Sequence, residues 1–200
     1  MLVNKIMSAN PVTISPDKRV GQALKLMQKH NIRHLPVVKN DLMVGWITSR
    51  DLREVLLASM LEKITVEDVM LKSPITVNPE TTVEEAARLI YDNKIGGMPV
   101  LEDGRLVGVI TMMDLISAFL SMLGLLRTSS RLDLLLEDRP EVLEEATRLI
   151  KEAGGGIINV ALGPLKEGKR SYYFRLAKCD LQPIIEVLKE HDLQVVDFIP

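Results

Sequence analysis

Apolar positions along the first 125 residues alternate between two periods, and they do so twice. "PVTI" (Pro11–Ile14) and "PITV" (Pro74–Val77) are short β-branched runs, each closed by a proline two residues on, and predict brief strands. Val20, Ala23, Leu24 and Met27 then recur at helical spacing, as do Val83, Ala86, Ala87 and Ile90. "HLPVV" and "GMPVL" predict buried strands with a proline near the start, where a lost N–H is tolerated. The turns "NDL" and "EDGRL" lead into second strands, "MVGWIT" and "LVGVIT". Leu52, Val55 and Leu56, matched by Leu115, Ala118 and Phe119, head a further helix. The pattern is a strand–helix–strand–strand–helix unit written twice.

One offset relates the two copies. Pro11 and Pro74, Pro16 and Pro79, Pro36 and Pro99, and Asp51 and Asp114 all lie 63 residues apart. Val3–Leu56 aligns with Val66–Phe119 without a gap and with 17 identities in 54 positions, the signature of a tandem repeat.

After "LGLLRTSS" the pattern changes. Leu132, Leu134 and Leu136 alternate as in a half-buried strand. "DRPE" predicts a capping box, with Asp138 as N-cap, Glu141 three residues later and Pro140 in the first turn. Val142, Leu143, Ala146, Leu149 and Ile150 give the helix one apolar face, and Gly154–Gly156 end it. "IINVALG" and "SYYFRLA" predict two strands joined by the turn "PLKEGKR". A helix with Leu181, Ile184, Ile185 and Leu188 and a last strand, "QVVDFIP", follow. The order βαββαβ is that of a ferredoxin-like sandwich.

Composition narrows the function classes. Hydrophobic residues are 46%, charged residues 26% and aromatics only 4%, so an aliphatic core in a globular chain is expected. A net charge of −2 without a basic stripe argues against a nucleic-acid partner. The most apolar run, Leu115–Leu126, is too short to span a bilayer, which needs about 20 residues. Cys179 is the one cysteine, so no internal disulfide is possible. With no apolar leader at the N-terminus, a cytoplasmic location without a membrane role is expected. His30, His34 and His191 are the only histidines. No zinc, Walker, nucleophile-elbow or dinucleotide motif occurs, so neither catalytic residues nor a metal site is expected.

The phrases "VGWITSRDL" and "VGVITMMDL" each carry T-x-x-D, at Thr48–Asp51 and Thr111–Asp114. Two readings stand. One is a capping box, in which the Thr oxygen accepts from the helix start and the acid reaches back. The other is a ligand site: unpaired N–H groups at a helix start suit a phosphate, and a carboxylate one turn in accepts both hydroxyls of a ribose. The copies differ just before the "PV" strand, where Arg33 and His34 stand against Gly96 and Gly97, and inside the motif, where Arg50 stands against Met113. The two copies of the motif are therefore expected to be unequal in charge.

The element order, the "PV" strand and the "G-h-I-T-x-x-D-L" ending resemble the cystathionine-β-synthase (CBS) domain, over Val3–Leu61 and Val66–Met122. The resemblance implies a pair of CBS domains, residues 3–61 and 66–125, packed about a pseudo-twofold axis with two clefts. In that family the Thr and Asp positions contact the phosphate and ribose of adenosyl ligands. This marks Thr48, Asp51, Thr111, Asp114, Arg33 and His34 as nucleotide-binding candidates. Residues 129–200, with "LEDRPEVLEEATRLI" at their front, resemble the ACT domain, a module that binds amino acids in many of its members. Glu141 departs from the D-R-P-G pattern of that family and disfavours a carboxylate ligand there. The fold class implied is α+β: two β-α-β-β-α units and a βαββαβ domain. The combination resembles the acetoin-utilisation protein B type. It implies a regulatory protein, not an enzyme, that binds an adenosine nucleotide (AMP, ADP or ATP) as ligand and signals to the ACT-like domain or a partner protein. The alternative is a scaffold without nucleotide binding. Leu115, Phe119, Met122 and Leu123 offer an apolar face for a homodimer.

Overall fold

In a computed structural model of the chain, the stripe Val20, Ala23 and Met27 is buried on helix α1 (Val20–His30), as its spacing requires. The structure describes residues 1–56, 64–126 and 128–200, and of Glu54 and Leu56 the backbone alone. The boundary predicted at Leu61 lies outside the described residues. Two compact units result, Met1–Ile116 and Ser117–Pro200.

In the first unit a 3-10 turn (Val3–Lys5) and a two-residue strand β1 (Ser8–Ala9) precede α1. Strands β2 (His34–Lys39) and β3 (Leu42–Thr48) form an antiparallel hairpin that leads without a break into α2 (Ser49–Leu56). The second copy repeats this with a short helix α3 (Val66–Val69), then α4 (Val83–Asn93), β4 (Gly97–Glu102), β5 (Arg105–Thr111) and α5 (Met112–Met122). The hairpins turn on Asn40–Asp41 and Asp103–Gly104, all at positive φ, which matches the right-handed twist of the strands. Each copy carries one bulge, at Val37/Val38 and at Val100/Leu101. Leu35, Val37, Ile47 and Leu52 are fully buried in the first copy, and Met98, Val100 and Ile110 at the matching positions of the second.

The predicted strands "PVTI" and "PITV" shrink to single bridges. Ile14 pairs with Val37 and Val77 with Val100, both parallel. The prolines at 11, 16, 74 and 79 deny the ladder its donors on either side, so only one residue of each run pairs. The true first strand lies earlier and serves the other copy. Ser8 pairs with Val109 on β5, and Leu71, 63 residues later, pairs with Trp46 on β3. The exchange extends along both lead segments. Met1 O accepts from Val83 N–H at 2.9 Å and Ile64 O from Val20 N–H at 3.1 Å. Val3 N–H donates to Thr81 O at 2.9 Å and Val66 N–H to Lys18 O at 2.8 Å. Each copy is thus completed by backbone from the other, and these four bonds form two pairs related by the same offset. These bonds satisfy backbone groups that burial would otherwise strand.

The second unit contains a four-stranded antiparallel sheet, in the order β7 (Ile157–Lys166), β8 (Lys169–Ala177), β6 (Ser129–Glu137), β9 (Gln194–Ile199). Helices α6 (Pro140–Glu152) and α7 (Gln182–Glu190) complete the predicted βαββαβ order. Leu132, Leu134 and Leu136 of β6 and Tyr172, Phe174 and Leu176 of β8 meet Ala146, Leu149, Ile150, Ile184, Ile185 and Leu188 of the helices in one core.

Three local expectations are corrected. Asp138 does not cap α6, whose N-cap is Arg139. Its carboxylate instead takes Arg170 Nε at 2.8 Å, Arg170 Nη2 at 3.1 Å and Tyr172 Oη at 3.3 Å. A two-pronged charged partner outcompetes backbone amides, and Arg170 holds the Asp138 carboxyl below its usual range. The turn "PLKEGKR" is mostly strand: only Glu167 and Gly168 turn, both at positive φ, and Pro164 sits on the edge strand where the register slips between Leu162 and Leu165. On α5, Leu115 is buried and Phe119 half-buried rather than bare; the exposed apolar residues there are Met112, Met113, Ile116 and Met122, with Leu123, Leu125 and Leu126 beyond the helix. Among the described residues no helix is long and apolar enough to cross a membrane.

Candidate functional site

Both T-x-x-D motifs stand where a strand passes directly into a helix, β3 into α2 and β5 into α5. Thr48 ends its strand and Ser49 begins the helix, with Ser49 N–H donating to Arg33 O at 2.9 Å. Met112 N–H donates to Gly96 O at 3.0 Å in the second copy. The start of each "PV" strand is thereby fastened to the start of the helix that carries the acid.

The capping reading is realised in both copies. Asp51 Oδ2 accepts from Thr48 N–H at 2.7 Å and from Thr48 Oγ1–H at 2.8 Å. Asp114 Oδ2 accepts from Thr111 N–H at 2.8 Å and from Thr111 Oγ1–H at 2.6 Å. The helix N–H groups of Asp51 and Asp114 return longer bonds to the Thr oxygens, at 3.4 and 3.3 Å. Each carboxylate spends one oxygen on the cap. Among the described residues Oδ1 of Asp51 and of Asp114 accepts no hydrogen bond. Cap and ligand acceptor are therefore compatible roles for a single side chain.

A third T-x-x-D, overlooked in the sequence reading, is an internal control. Thr65 and Asp68 make the same bonds, at 2.8 and 2.6 Å, on the four-residue helix α3. The motif's local geometry alone does not mark a ligand site. Thr48–Asp51 and Thr111–Asp114 differ from it in their surroundings, chiefly through His34.

His34 is half-buried at the junction of the two copies. Its ring stacks on Trp46 with centroids 5.6 Å apart and planes 24° from parallel. Its Nε2 lies 2.8 Å from where a Cβ on Gly96 would stand. Gly96 therefore makes room for a histidine from the other copy, a role its own sequence context did not reveal. Burial, and secondly Arg33, lower the imidazole pKa from its ordinary 6.5, while Asp51 and Asp114 pull it up. Both acids thus act on one ring. The structure brings His34 together with Asp51 and Asp114, each bonded to its own threonine, while Arg33 and Arg50 are exposed. Gly97 is buried against Ile110 O, where a Cβ would stand only 2.9 Å away, so no side chain matching His34 fits in the second copy. The sequence reading missed Trp46; its position opposite Pro36 on the paired strand was the available signal.

A separate depression of about 270 Å³, lined by Thr76, Asn78, Thr81, Glu85 and Leu101 among others, includes none of the six predicted residues. Among the described residues no group of three or more His, Cys, Asp or Glu is disposed to hold a metal.

Comparison with known proteins agrees with this architecture. An inosine-5'-monophosphate dehydrogenase of Korarchaeum cryptofilum is 40% identical over 104 residues, 52% of this chain but 21% of that enzyme. The chain thus spans about a fifth of the length of that relative. A CBS domain-containing protein of Dictyostelium discoideum is 37% identical over 139 residues, 62% of this chain and 94% of that protein. Among solved structures, CBSX2 in complex with AMP superposes with a TM-score of 0.55 at 29% identity, over 60% of this chain and 96% of that one. The CBS domain pair of protein MJ0100, in complex with 5'-methylthioadenosine and S-adenosyl-L-methionine, gives 0.56 at 35% identity, over 60% and 99%. A putative acetoin utilization protein from Vibrio cholerae gives 0.58 at 30% identity, over 63% and 96%. The CBS domain family model matches residues 3–58 and 66–121, and with more than half of its length matched in two successive copies the chain belongs to the CBS domain family.

Proposed function

We propose that this chain is a non-catalytic regulatory sensor that binds an adenosine nucleotide between its two CBS domains. The observation that carries the reading is the pair of helix starts at Thr48–Asp51 and Thr111–Asp114, each with one carboxylate oxygen left for a ribose hydroxyl. It is supported by the adenosyl ligands in the similar structures, AMP in one and 5'-methylthioadenosine with S-adenosyl-L-methionine in another. Thr48, Asp51, Thr111 and Asp114 hold ribose and phosphate, and Arg33 and His34 make the two clefts unequal. The three domains are residues 3–61, 66–125 and the ACT-like residues 129–200, whose βαββαβ order and strand order support that assignment. Asp114 opens α5, and the boundary between the two units falls inside that helix, between Ile116 and Ser117. The exposed Ile116, Met122 and Leu123 support a homodimer, with a mass twice 22.4 kDa by light scattering. The similarity to an acetoin utilization protein supports, for the CBS part, a place in acetoin use.

A second reading has its own observation. Thr65 and Asp68 show T-x-x-D acting as a cap, which favours a scaffold without ligand. Calorimetric titration of the intact chain with adenosine, AMP, ADP and ATP decides between them. Saturable heat with AMP is expected. No heat with any of the four leaves the scaffold.

A further inference from the structure

His34 has no counterpart in the second copy, where Gly97 stands at the same offset. It starts β2 of the first copy, stacks on Trp46 of β3, and reaches the backbone of the second copy at Gly96. The charged groups acting on it are Arg33 at its own strand start, Asp51 on α2 and Asp114 on α5. Trp46 and Gly96 bring no charge. A single imidazole therefore sits under opposed influences: burial and a guanidinium favour the neutral ring, and two carboxylates favour the cation. A further negative charge beside such a ring shifts the balance.

We infer that His34 is a proton-linked reader of ligand charge, taking up a proton when a phosphorylated adenosyl ligand enters the cleft and none when adenosine does. This rests on the adenosyl reading above and adds to it the class of ligand preferred, a nucleotide over a nucleoside, and the dependence of that preference on pH. In the free chain burial and, secondly, Arg33 favour the neutral ring. A phosphate carries a charge of about −1.5 to −2 at that pH and stabilises the imidazolium from a few ångströms away. The proton comes from the buffer acid and adds to the unprotonated ring nitrogen, so no other bond changes. Because the bound state holds more protons, phosphorylated ligands bind more tightly as the pH falls toward the free-state pKa. Adenosine, which brings no charge, is indifferent.

The test is calorimetry of the intact chain with AMP and with adenosine at pH 7.5, in buffers of different ionisation enthalpy. There the ligand phosphate, with a second pKa near 6, is almost fully ionised. The slope of heat against buffer enthalpy counts protons. A few tenths of a proton taken up with AMP, none with adenosine, and none with AMP in the His34→Gln variant are expected. AMP binding without uptake, or equal uptake in His34→Gln, overturns the inference while leaving the adenosyl reading intact. Failure of both ligands to bind overturns both. Should the variant misfold, NMR titration of the wild-type imidazoles decides: AMP, but not adenosine, raises the pKa of His34 among His30, His34 and His191. Three unmoved histidines overturn the inference.

Discussion

The thioether of Met70 rests on Gly45, filling the volume that a side chain at that position would need. Met7 and Gly108 repeat the contact at the same offset of 63 residues, with each methionine arriving from the lead segment of the opposite copy. The exchange of backbone described above is thus keyed by a sulfur in a glycine hole. Methionine suits the task because its unbranched, polarizable side chain fills irregular gaps.

Gly45→Ala puts a methyl group into that space, and overpacking of this kind costs about 1–3 kcal/mol. Denaturant unfolding followed by Trp46, the only tryptophan, reads the loss directly within the first unit. Met70→Ala in the same chain should return part of it, because the two residues are in contact and their effects are then not additive. Strictly additive losses would mean that the lead segment is not held by this contact.

Little of this exchange was legible beforehand. The repeat fixed the helices and hairpins of both copies, since Val20, Ala23 and Met27 and their counterparts announce a buried stripe. Backbone hydrogen bonds between residues 1–9 and the second copy leave no side-chain signature. The Thr–Asp pairs were legible as caps and as acceptors alike, because the same atoms serve both. His34 was visible as a basic residue, but its reach across to Gly96 depends on how two copies pack, which no single copy encodes. Asp138 illustrates the reverse error: a local capping rule gave way to Arg170, 32 residues away on the paired strand.

The lowered pKa of His34 has a consequence for stability without any ligand. Below pH 6.5 the unfolded chain binds a proton at this residue more readily than the folded chain. Stability at this site is therefore complete above pH 6.5 and falls as the pH drops toward the folded-state pKa. Melting curves of wild type and His34→Gln between pH 8 and pH 5 isolate this group, since other titrations cancel in the difference. The wild type should lose more stability than the variant on acidification. Parallel curves would mean that the ring titrates alike in both states.

Asp51→Asn and Asp114→Asn separate the cap from the ligand contact. Asn keeps an oxygen that accepts from the threonine N–H and loses the charge that binds ribose hydroxyls. Losing a charged acceptor costs about 1.5–3 kcal/mol, or roughly 10- to 150-fold in affinity. Titration with AMP should show that loss in at least one variant while its melting temperature changes little. If both variants melt earlier and bind AMP as the wild type does, the carboxylates serve only the helix starts, as Asp68 does.

Arg33 decides whether the clefts differ in how they treat phosphate. It is exposed beside His34, and its counterpart Gly96 brings no charge. An exposed charge interaction is worth about 0.3–1 kcal/mol, so Arg33→Ala should weaken AMP, ADP and ATP roughly two- to five-fold. Adenosine should be untouched. Added salt should imitate the substitution in part, because screening at physiological ionic strength acts over about 8 Å. Competition titrations of the four ligands at low and at physiological salt make the comparison. Equal weakening of adenosine and ATP would show that Arg33 supports the packing of the strand start and does not read phosphate.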